Sequence, residues 1–215
     1  MSDSWNQGPT SDQLARDVAY LRALQGNAES LLRDADLLFS HGRWARALAL
    51  AVLAMEEAGK AVLATARLFP DDDLAELKPT RHEDKLTTAG LVEVGFLGDL
   101  SEVRTLIGQL DSSALHREKL SALYVDQREG DLRCPTSVAE ERAEQVLAIS
   151  RRITEWLGST YNTLSPESIE AARRLTSALT PALDQYVIEY GEEAGLDMER
   201  KIVDWGQRGS SQSRV

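Results

Sequence analysis

The amino-acid sequence predicts an all-α protein, an antiparallel helical bundle, on two observations. Leucine, alanine, glutamate and arginine dominate its 215 residues, whereas short alternating runs of β-branched residues are scarce. Apolar residues instead recur at a helical period over long segments, which is typical of helices that pack through one face. A chain of this length buries a substantial core, as one large domain or as one domain with an appendage.

The first predicted helix follows a polar arm over residues 1–10. Its apolar residues keep a helical period for nearly thirty positions, up to Phe39. Gly42 suits the left-handed position that follows a helix C-terminus. The N-cap is one of three polar residues, Thr10, Ser11 or Asp12.

The second predicted helix, from Arg43 to Phe69, is the centre of the bundle. It is apolar around most of its circumference, which is typical of a buried helix, and the short link places it antiparallel to the first. Glu56 and Glu57 interrupt this apolar sequence. Buried carboxylates destabilise a fold unless they are paired or hydrogen-bonded. We therefore expect partners for them elsewhere in the chain.

An acidic loop over residues 70–79 and two shorter helices come next. The third helix opens at Thr80, where Thr80 and Glu83 match a capping box. Its second half bends or breaks at the glycines between residues 90 and 98. The fourth helix starts near residue 111 or 112 and is followed by a polar turn over residues 126–135.

The C-terminal part of the chain is predicted to contain a fifth helix and a last helical region. Thr136 or Ser137 caps the fifth helix, which ends near Asn162. Pro166 stands at the first position of the last region, which Pro181 kinks or splits. The predicted organisation is an arm (1–10), a bundle core (11–163), a helical region that packs on the bundle or on a dimer partner (164–205) and a disordered tail (206–215).

The charge and composition exclude several classes of protein. The formal net charge of −11 and the pI near 4.8 argue against strong nonspecific attraction to nucleic acid or to an anionic membrane, and no DNA partner is expected, although a local basic pocket is compatible with this charge. The single cysteine, Cys134, rules out an internal disulfide and fits a reducing compartment. The N-terminus lacks the features of a signal peptide, and the longest apolar run is too short to span a bilayer. These features predict a soluble cytoplasmic protein.

Three constellations of polar residues are candidates for chemistry, and the first lies on the central helix. Glu56 and Lys60 are spaced as an i,i+4 pair, and Glu57 lies on an adjoining stripe. A solvated ion pair is one interpretation. The apolar sequence on both sides favours the other, a buried polar cluster.

The second constellation, Arg81, His82 and Lys85, opens the third helix. His82 and Lys85 are three residues apart and project from one face. A histidine transfers protons near neutral pH, and a lysine stabilises charge that develops on a phosphate. The alternative is an ordinary charged helix N-terminus, and the spacing alone favours that alternative.

The third constellation, Lys119, Tyr124 and Asp126, closes the fourth helix. The commoner role for Tyr124 is a core aromatic with its hydroxyl at the rim, and Asp126 is also explained as the start of a turn. The spacing His-x-x-Lys-Leu occurs at His82 and again at His116. A match this short is attributed to chance.

Other chemistries lack their sequence signatures. No Glu-x-x-His motif of a di-iron bundle occurs, and one cysteine with three scattered histidines makes no zinc pattern. A phosphate-binding glycine loop and a Gly-x-Ser-x-Gly elbow are also missing. We therefore predict no metal and no cofactor.

Taken together and in order, the constellations resemble the AbiV family of bacterial abortive-infection, phage-defence proteins. The matching segments are MEEAGK (Met55–Lys60), HEDK (His82–Lys85), KLSALYVD (Lys119–Asp126) and the DLRCP turn. The resemblance covers roughly residues 28–150. It implies a bundle related to the HEPN superfamily, whose members often are metal-independent ribonucleases and commonly dimerise. That fold is a four-helix core, here with additional C-terminal helices.

The chain departs from the superfamily in one motif. The usual nuclease signature is an arginine, four to six residues and then a histidine, and the nearest pair here, Arg33 and His41, has seven residues between. His82 with Lys85 would then serve in place of the standard pair, and Lys85 or Lys119 would stabilise the charge on the phosphate.

Three hypotheses follow. The first is a homodimeric toxin-like effector that acts on RNA (tRNA or mRNA) or translation and cleaves RNA at this cluster. The second is a non-catalytic protein that binds a phage or host protein and uses the cluster only for stability. A weaker third is a nucleotide-binding bundle that holds phosphates with Lys60, Arg81 and Lys85.

Overall fold

The structure, a computed structural model, describes residues 9–69, 77–94, 112–128, 131–133 and 135–177. It confirms the predicted all-α bundle. The α helices in these residues are α1 (Ser11–Ser40), α2 (Trp44–Ala66), α3 (His82–Val94), α4 (Ser112–Leu123), α5 (Glu140–Tyr161) and α6 (166–177). The chain divides into two compact units, Met1–Pro166, which contains α1–α5, and Glu167–Val215, which contains all but the first residue of α6.

Helix α1 has the ends that its sequence predicts. The hydroxyl of Thr10 accepts a hydrogen bond from the backbone N–H of Gln13 at 3.2 Å, which makes Thr10 the N-cap. Gly42 has a φ of 69°, a left-handed conformation that glycine adopts without strain. The three residues from His41 to Arg43 then reverse the chain, so that α2 packs antiparallel against α1.

Helix α2 is the central helix of the first unit. Thirteen of its 23 residues are buried, and it packs against α1, α3, α4 and α5. Most of the buried residues are alanines, whose small side chains let the neighbouring helices approach closely. The helix is therefore covered on several sides, as its apolar circumference predicts.

Helix α5 closes the bundle against α1 and α2. The hydroxyl of Ser150 donates a hydrogen bond to the backbone carbonyl of Ala51 at 3.1 Å. At the C-terminal end of α5, the Tyr161 hydroxyl lies 2.6 Å from the hydroxyl of Thr65, and burial raises the pKa of Tyr161 to about 12. These two contacts attach α5 to the central helix at its middle and at its C-terminal end.

Two predicted helix starts are wrong. Helix α3 begins at His82 rather than Thr80, so Thr80 and Glu83 do not form a capping box; instead the Asp84 carboxylate accepts the backbone N–H of Lys78 at 2.8 Å. Helix α5 begins after Ala139, without a side-chain cap, because residues Pro135–Ser137 form a short 3₁₀ turn.

The predicted polar turn over residues 126–135 contains two short strands. β1 (Asp126–Arg128) and β2 (Asp131–Arg133) pair antiparallel, with Gln127 opposite Leu132. Three-residue strands are too short to show the alternation by which a strand is predicted.

Several predictions concern residues outside the described ones: the N-terminal arm over residues 1–8, the acidic loop over 70–76, the break at Gly95 and Gly98, the kink at Pro181 and the C-terminal tail. Within the described range, α3 continues through Gly90. Of the helices that the structure describes, none combines the length and the apolar character needed to cross a membrane.

Candidate functional site

The candidate site is built around the carboxylate of Glu56, at the middle of α2. Glu56 is only 2% exposed and lies among core residues of the same helix, including Val52 and Met55. A carboxylate removed from water in this way needs charged or hydrogen-bonding partners. Helices α3 and α4 supply them.

Helix α3 contributes His82 and Lys85. The Nδ1 atom of His82 lies 2.7 Å from Oε2 of Glu56, and Nζ of Lys85 lies 3.6 Å from the same oxygen. Because the two residues are three apart on one helix, both reach the carboxylate from the same face. Lys85 is buried, whereas nearly half of the His82 side chain is exposed.

Helix α4 contributes a second histidine and a second lysine in the same spacing. Lys119, which is 3% exposed, donates a hydrogen bond from Nζ to Oε1 of Glu56. Nδ1 of His116 lies 4.0 Å from that oxygen. The imidazole of His116 stacks on that of His82, with ring centroids 4.6 Å apart and planes inclined by 21°. Two His-x-x-Lys segments thus converge on one carboxylate, and we refer to these five residues as the Glu56 cluster.

The protonation of His116 follows from its surroundings. Burial lowers the pKa of His116 below its ordinary value of 6.5, and the nearby Lys119 and His82 lower it further, while Glu56 and Glu83 act in the opposite direction. Its Nδ1 atom is buried and makes no hydrogen bond within the described residues. His116 is therefore a neutral imidazole near pH 7.

The cluster also contains donor atoms of the kind that bind metals. One ligand atom from each of Glu56, His82 and His116 lies within 4.8 Å of the other two, and two histidines with one carboxylate form a known metal-binding set. However, the Lys119 ammonium already contacts Glu56, and its Nζ lies 3.4 Å from Nδ1 of His82. Lysine thus supplies positive charge at the position that a metal ion would take, so the arrangement favours chemistry carried by side chains alone.

The other predicted site residues lie elsewhere. Glu57 pairs with Lys60, at 3.9 Å between Oε1 and Nζ, and the Lys60 ammonium lies 5.9 Å from the ring centroid of Tyr20 on α1. Arg81 lies 3.7 Å from the carboxylate of Asp84.

At the end of α4, Tyr124 is 62% exposed rather than a core aromatic. Asp126 is the first residue of β1. Of the nine predicted residues, the structure therefore brings together Glu56, His82, Lys85 and Lys119.

Sequence reasoning missed His116. Its signal is the repeated His-x-x-Lys-Leu spacing, a match too short to be told from chance in the sequence alone. In the structure both copies of this spacing face Glu56, although 34 positions separate the two histidines.

Comparison with known proteins gives one result for this part of the chain. The family model HEPN_AbiV, described as AbiV, matches residues 18–155. That range contains the whole Glu56 cluster and most of the first compact unit. No curated protein and no solved structure matches the chain.

Proposed function

The chain belongs to the AbiV family, whose model matches more than half of its residues, and we propose that it is an abortive-infection protein that cleaves RNA at the Glu56 cluster. The family points to a role in phage defence. The more specific proposal is a toxin-like effector that acts on RNA by acid–base chemistry and needs no metal. One observation carries it: two histidines and two lysines surround one buried carboxylate and leave part of the cluster open to solvent.

The first step of the proposed reaction belongs to His82. Its Nδ1 donates to Glu56 in the neutral tautomer, so the lone pair is on Nε2, the only other ring nitrogen. A carboxylate that holds one imidazole nitrogen orients the ring and stabilises the imidazolium that forms. His82 is therefore suited to accept the proton of an RNA 2′-hydroxyl as that oxygen attacks the adjacent phosphate.

The lysines supply the positive charge for the phosphate. Lys85 and Lys119 are both buried, and an ammonium in a site with little water stabilises developing negative charge more strongly than it does in bulk water. His82, protonated in the first step, then returns that proton to the departing 5′-oxygen as the bond from phosphorus to this oxygen breaks, while the neutral His116 stacked on it holds the His82 ring in place. In this proposal the two His-x-x-Lys segments replace the arginine–histidine signature of HEPN ribonucleases.

The test is the integrity of RNA incubated with the purified full-length protein in the presence of EDTA. We expect the wild-type protein to cleave tRNA or total RNA, the His82→Ala and His116→Ala variants to lose at least a hundredfold in rate, and His41→Ala to behave as wild type. His41 is the matched control because it follows the last residue of α1, where its ring is within hydrogen-bond distance of Ser40 and the backbone carbonyl of Leu37. RNA that stays intact with wild-type protein, with and without an infected-cell extract as activator, would refute the cleavage proposal.

A second candidate function, binding of a phage or host protein without catalysis, rests on an exposed apolar surface. Leu120, Tyr124 and Val125 are exposed side by side at the end of α4, with 62% of Tyr124 and 67% of Val125 accessible. A homodimer is part of both proposals, and this surface suits either kind of partner. If binding is the function, Tyr124→Ser with Val125→Ser abolishes protection against phage, whereas His82→Ala retains it. The cleavage proposal expects the opposite.

A further inference from the structure

We propose that a groove beside the Glu56 cluster binds single-stranded RNA, through three arginines and one tryptophan; this inference rests on the proposed RNA-directed function. Two adjoining cavities of about 400 and 440 Å³ share Val138 in their lining. The first lies at the start of α2 and the second between α2, α4 and the start of α5. We refer to the two cavities together as the arginine groove. The lining residues on which the proposal rests are Arg43, Trp44, Arg46 and Arg117.

The arginines of the groove differ from the others in the described chain. Most described arginine side chains are engaged, for example Arg142 with the carboxylate of Glu118 at 3.0 and 3.2 Å, and Arg151 with Asp36. Among the residues whose side chains the structure describes, the arginines that make no hydrogen bond or ion pair are Arg33, Arg43, Arg46 and Arg117. Three of these four line the groove.

Unpaired guanidinium groups in one groove are unusual for this protein. The chain carries a net charge of −11, so acidic partners are abundant, yet these three exposed side chains have none among the described residues. Arginines that are free of internal partners are available to bind the phosphates of a nucleic acid, and a polyanion that approaches an acidic protein binds where such positive charge is concentrated.

Trp44 makes a nucleic acid the favoured ligand over an acidic peptide. It packs partly against the core, so its indole is held in place, and it also lines the groove between Arg43 and Arg46. An aromatic ring flanked by arginines stacks on a base while the guanidinium groups contact phosphates, which is how single strands are bound without base pairing. Paired strands keep their bases stacked on one another, so we expect a preference for single strands.

The position of the groove connects it to the Glu56 cluster. Arg117 directly follows His116 on α4, and Arg43 and Arg46 lie at the start of α2, about 15–20 Å from Glu56 along the helix axis, given a rise of 1.5 Å per helical residue. A strand bound along the arginine groove therefore extends towards the two histidines. In that case the groove determines how strongly a substrate binds, and the cluster determines how fast it reacts.

The test is the affinity of the full-length protein for a short fluorescein-labelled oligouridine with 2′-O-methyl ribose, which has no 2′-hydroxyl to react. Fluorescence anisotropy gives the Kd over a series of salt concentrations. We expect Arg43→Gln/Arg46→Gln/Arg117→Gln to weaken binding at least tenfold and to reduce the slope of log Kd against log salt by about 0.7 for each phosphate that the variant no longer neutralises. Trp44→Leu is expected to weaken binding about tenfold without changing that slope.

Two controls make the result specific. Arg33→Gln removes an unpaired arginine of α1, outside the groove, and should leave the Kd unchanged; thermal unfolding shows whether each variant is folded. Equal losses of affinity from Arg33→Gln and from a single groove substitution would overturn the inference, and so would tighter binding of labelled polyglutamate than of the oligouridine.

The groove and the cleavage proposal can fail separately. If wild-type protein binds the oligouridine through the groove but leaves RNA intact, the groove stands and cleavage fails. If RNA is cleaved and the triple arginine variant keeps the wild-type KM, the groove fails alone.

Discussion

Two adjacent glutamates show how one helical position decides the role of a side chain. Glu56 is buried between Lys85 and Lys119, whereas Glu57, about 100° further around α2, is 21% exposed and contacts Lys60 at 3.9 Å. We expect Glu56→Gln to lower the free energy of unfolding by roughly 3–5 kcal/mol, because two buried lysines lose their counter-charge. Glu57→Gln should lower the free energy of unfolding by less than about 1 kcal/mol.

Thermal and urea unfolding of the two variants measure this difference. For a chain of this size each kcal/mol corresponds to roughly 2–4 °C in Tm. Equal losses of stability from the two substitutions would contradict the assignment of Glu56 as the centre of the cluster. The result is independent of catalysis, since it reports only how the lysines are neutralised.

His116 makes stability depend on pH in a direction that can be worked out. Its folded pKa lies below the ordinary 6.5, so at slightly acidic pH the unfolded chain binds more protons than the folded one. The contribution of His116 to stability is therefore complete above about pH 6.5 and is lost as the pH falls through the folded pKa. The charged groups that influence it are Lys119 on its own helix, His82 and Glu83 on α3, and Glu56 on α2.

The prediction is a smaller acid sensitivity in His116→Gln than in wild type. Urea unfolding at about pH 7.5 and about pH 5.5 gives the loss of stability on acidification for each protein. His41→Gln, at the end of α1, removes a histidine away from the cluster. This variant should lose as much stability on acidification as the wild-type protein does. If His116→Gln loses as much stability on acidification as the wild-type protein does, other groups dominate the pH dependence in this range.

At the scale of elements, the contact between α2 and α3 depends on Gly59. A Cβ atom at Gly59 would lie 1.8 Å from the backbone oxygen of Lys85 and 3.2 Å from the backbone nitrogen of Ala89. Backbone atoms cannot move aside as a flexible side chain does, so an added methyl pushes the two helices apart. Glu56 lies three residues before Gly59 on α2, and His82 lies three residues before Lys85 on α3. The hydrogen bond between Glu56 and His82 therefore depends on the same close approach of the two helices.

Gly59→Ala should therefore destabilise the fold by roughly 1–3 kcal/mol and lengthen the His82–Glu56 contact. The matched control is Gly26→Ala on α1, where an added Cβ meets nothing within 4 Å. That change should stabilise the protein by roughly 0.5–1 kcal/mol, because alanine is the better helix former. Thermal unfolding shows whether each substitution stabilises or destabilises the protein, and the chemical shifts of the His82 ring report its contact with Glu56. Stabilisation by both substitutions would exclude the close approach.

The helices were predictable where their own sequence determines them. The long apolar periods of α1, α2 and α5 and the glycine at position 42 are local features, and the structure follows them. The start of α3 was not predictable in this way, because Asp84 binds the backbone of Lys78, six residues earlier, in place of a capping box. A local motif specifies a helix end only when no competing hydrogen bond is available.

At the scale of the molecule, the sequence predicted that Glu56 needs partners and offered His82, Lys85 and Lys119 among the candidates, but it did not separate them from the other candidates. The need for partners follows from the apolar sequence around a buried carboxylate, and the candidates follow from the polar constellations of α3 and α4. The choice between Glu56 and Glu57, and the inclusion of His116, depend on how α2 is rotated against its neighbours. That rotation is set by packing between segments about 60 residues apart, such as those that contain Glu56 and Lys119. No local pattern in the sequence indicates it.

The organisation of the whole chain leads to a last prediction, that residues 1–166 fold on their own. Among the described residues, the main hydrophobic core cluster extends from Leu21 to Tyr161, and the family match over residues 18–155 also lies within the first unit. A chain that ends at Pro166 should therefore retain helical circular dichroism and one cooperative thermal transition. A chain that ends at Ala139 lacks α5, with its buried Ile153 and Leu157, and should lose that transition because α1 and α2 are left with an uncovered apolar face. A non-cooperative melt of the 1–166 chain would mean that its core requires the residues after it.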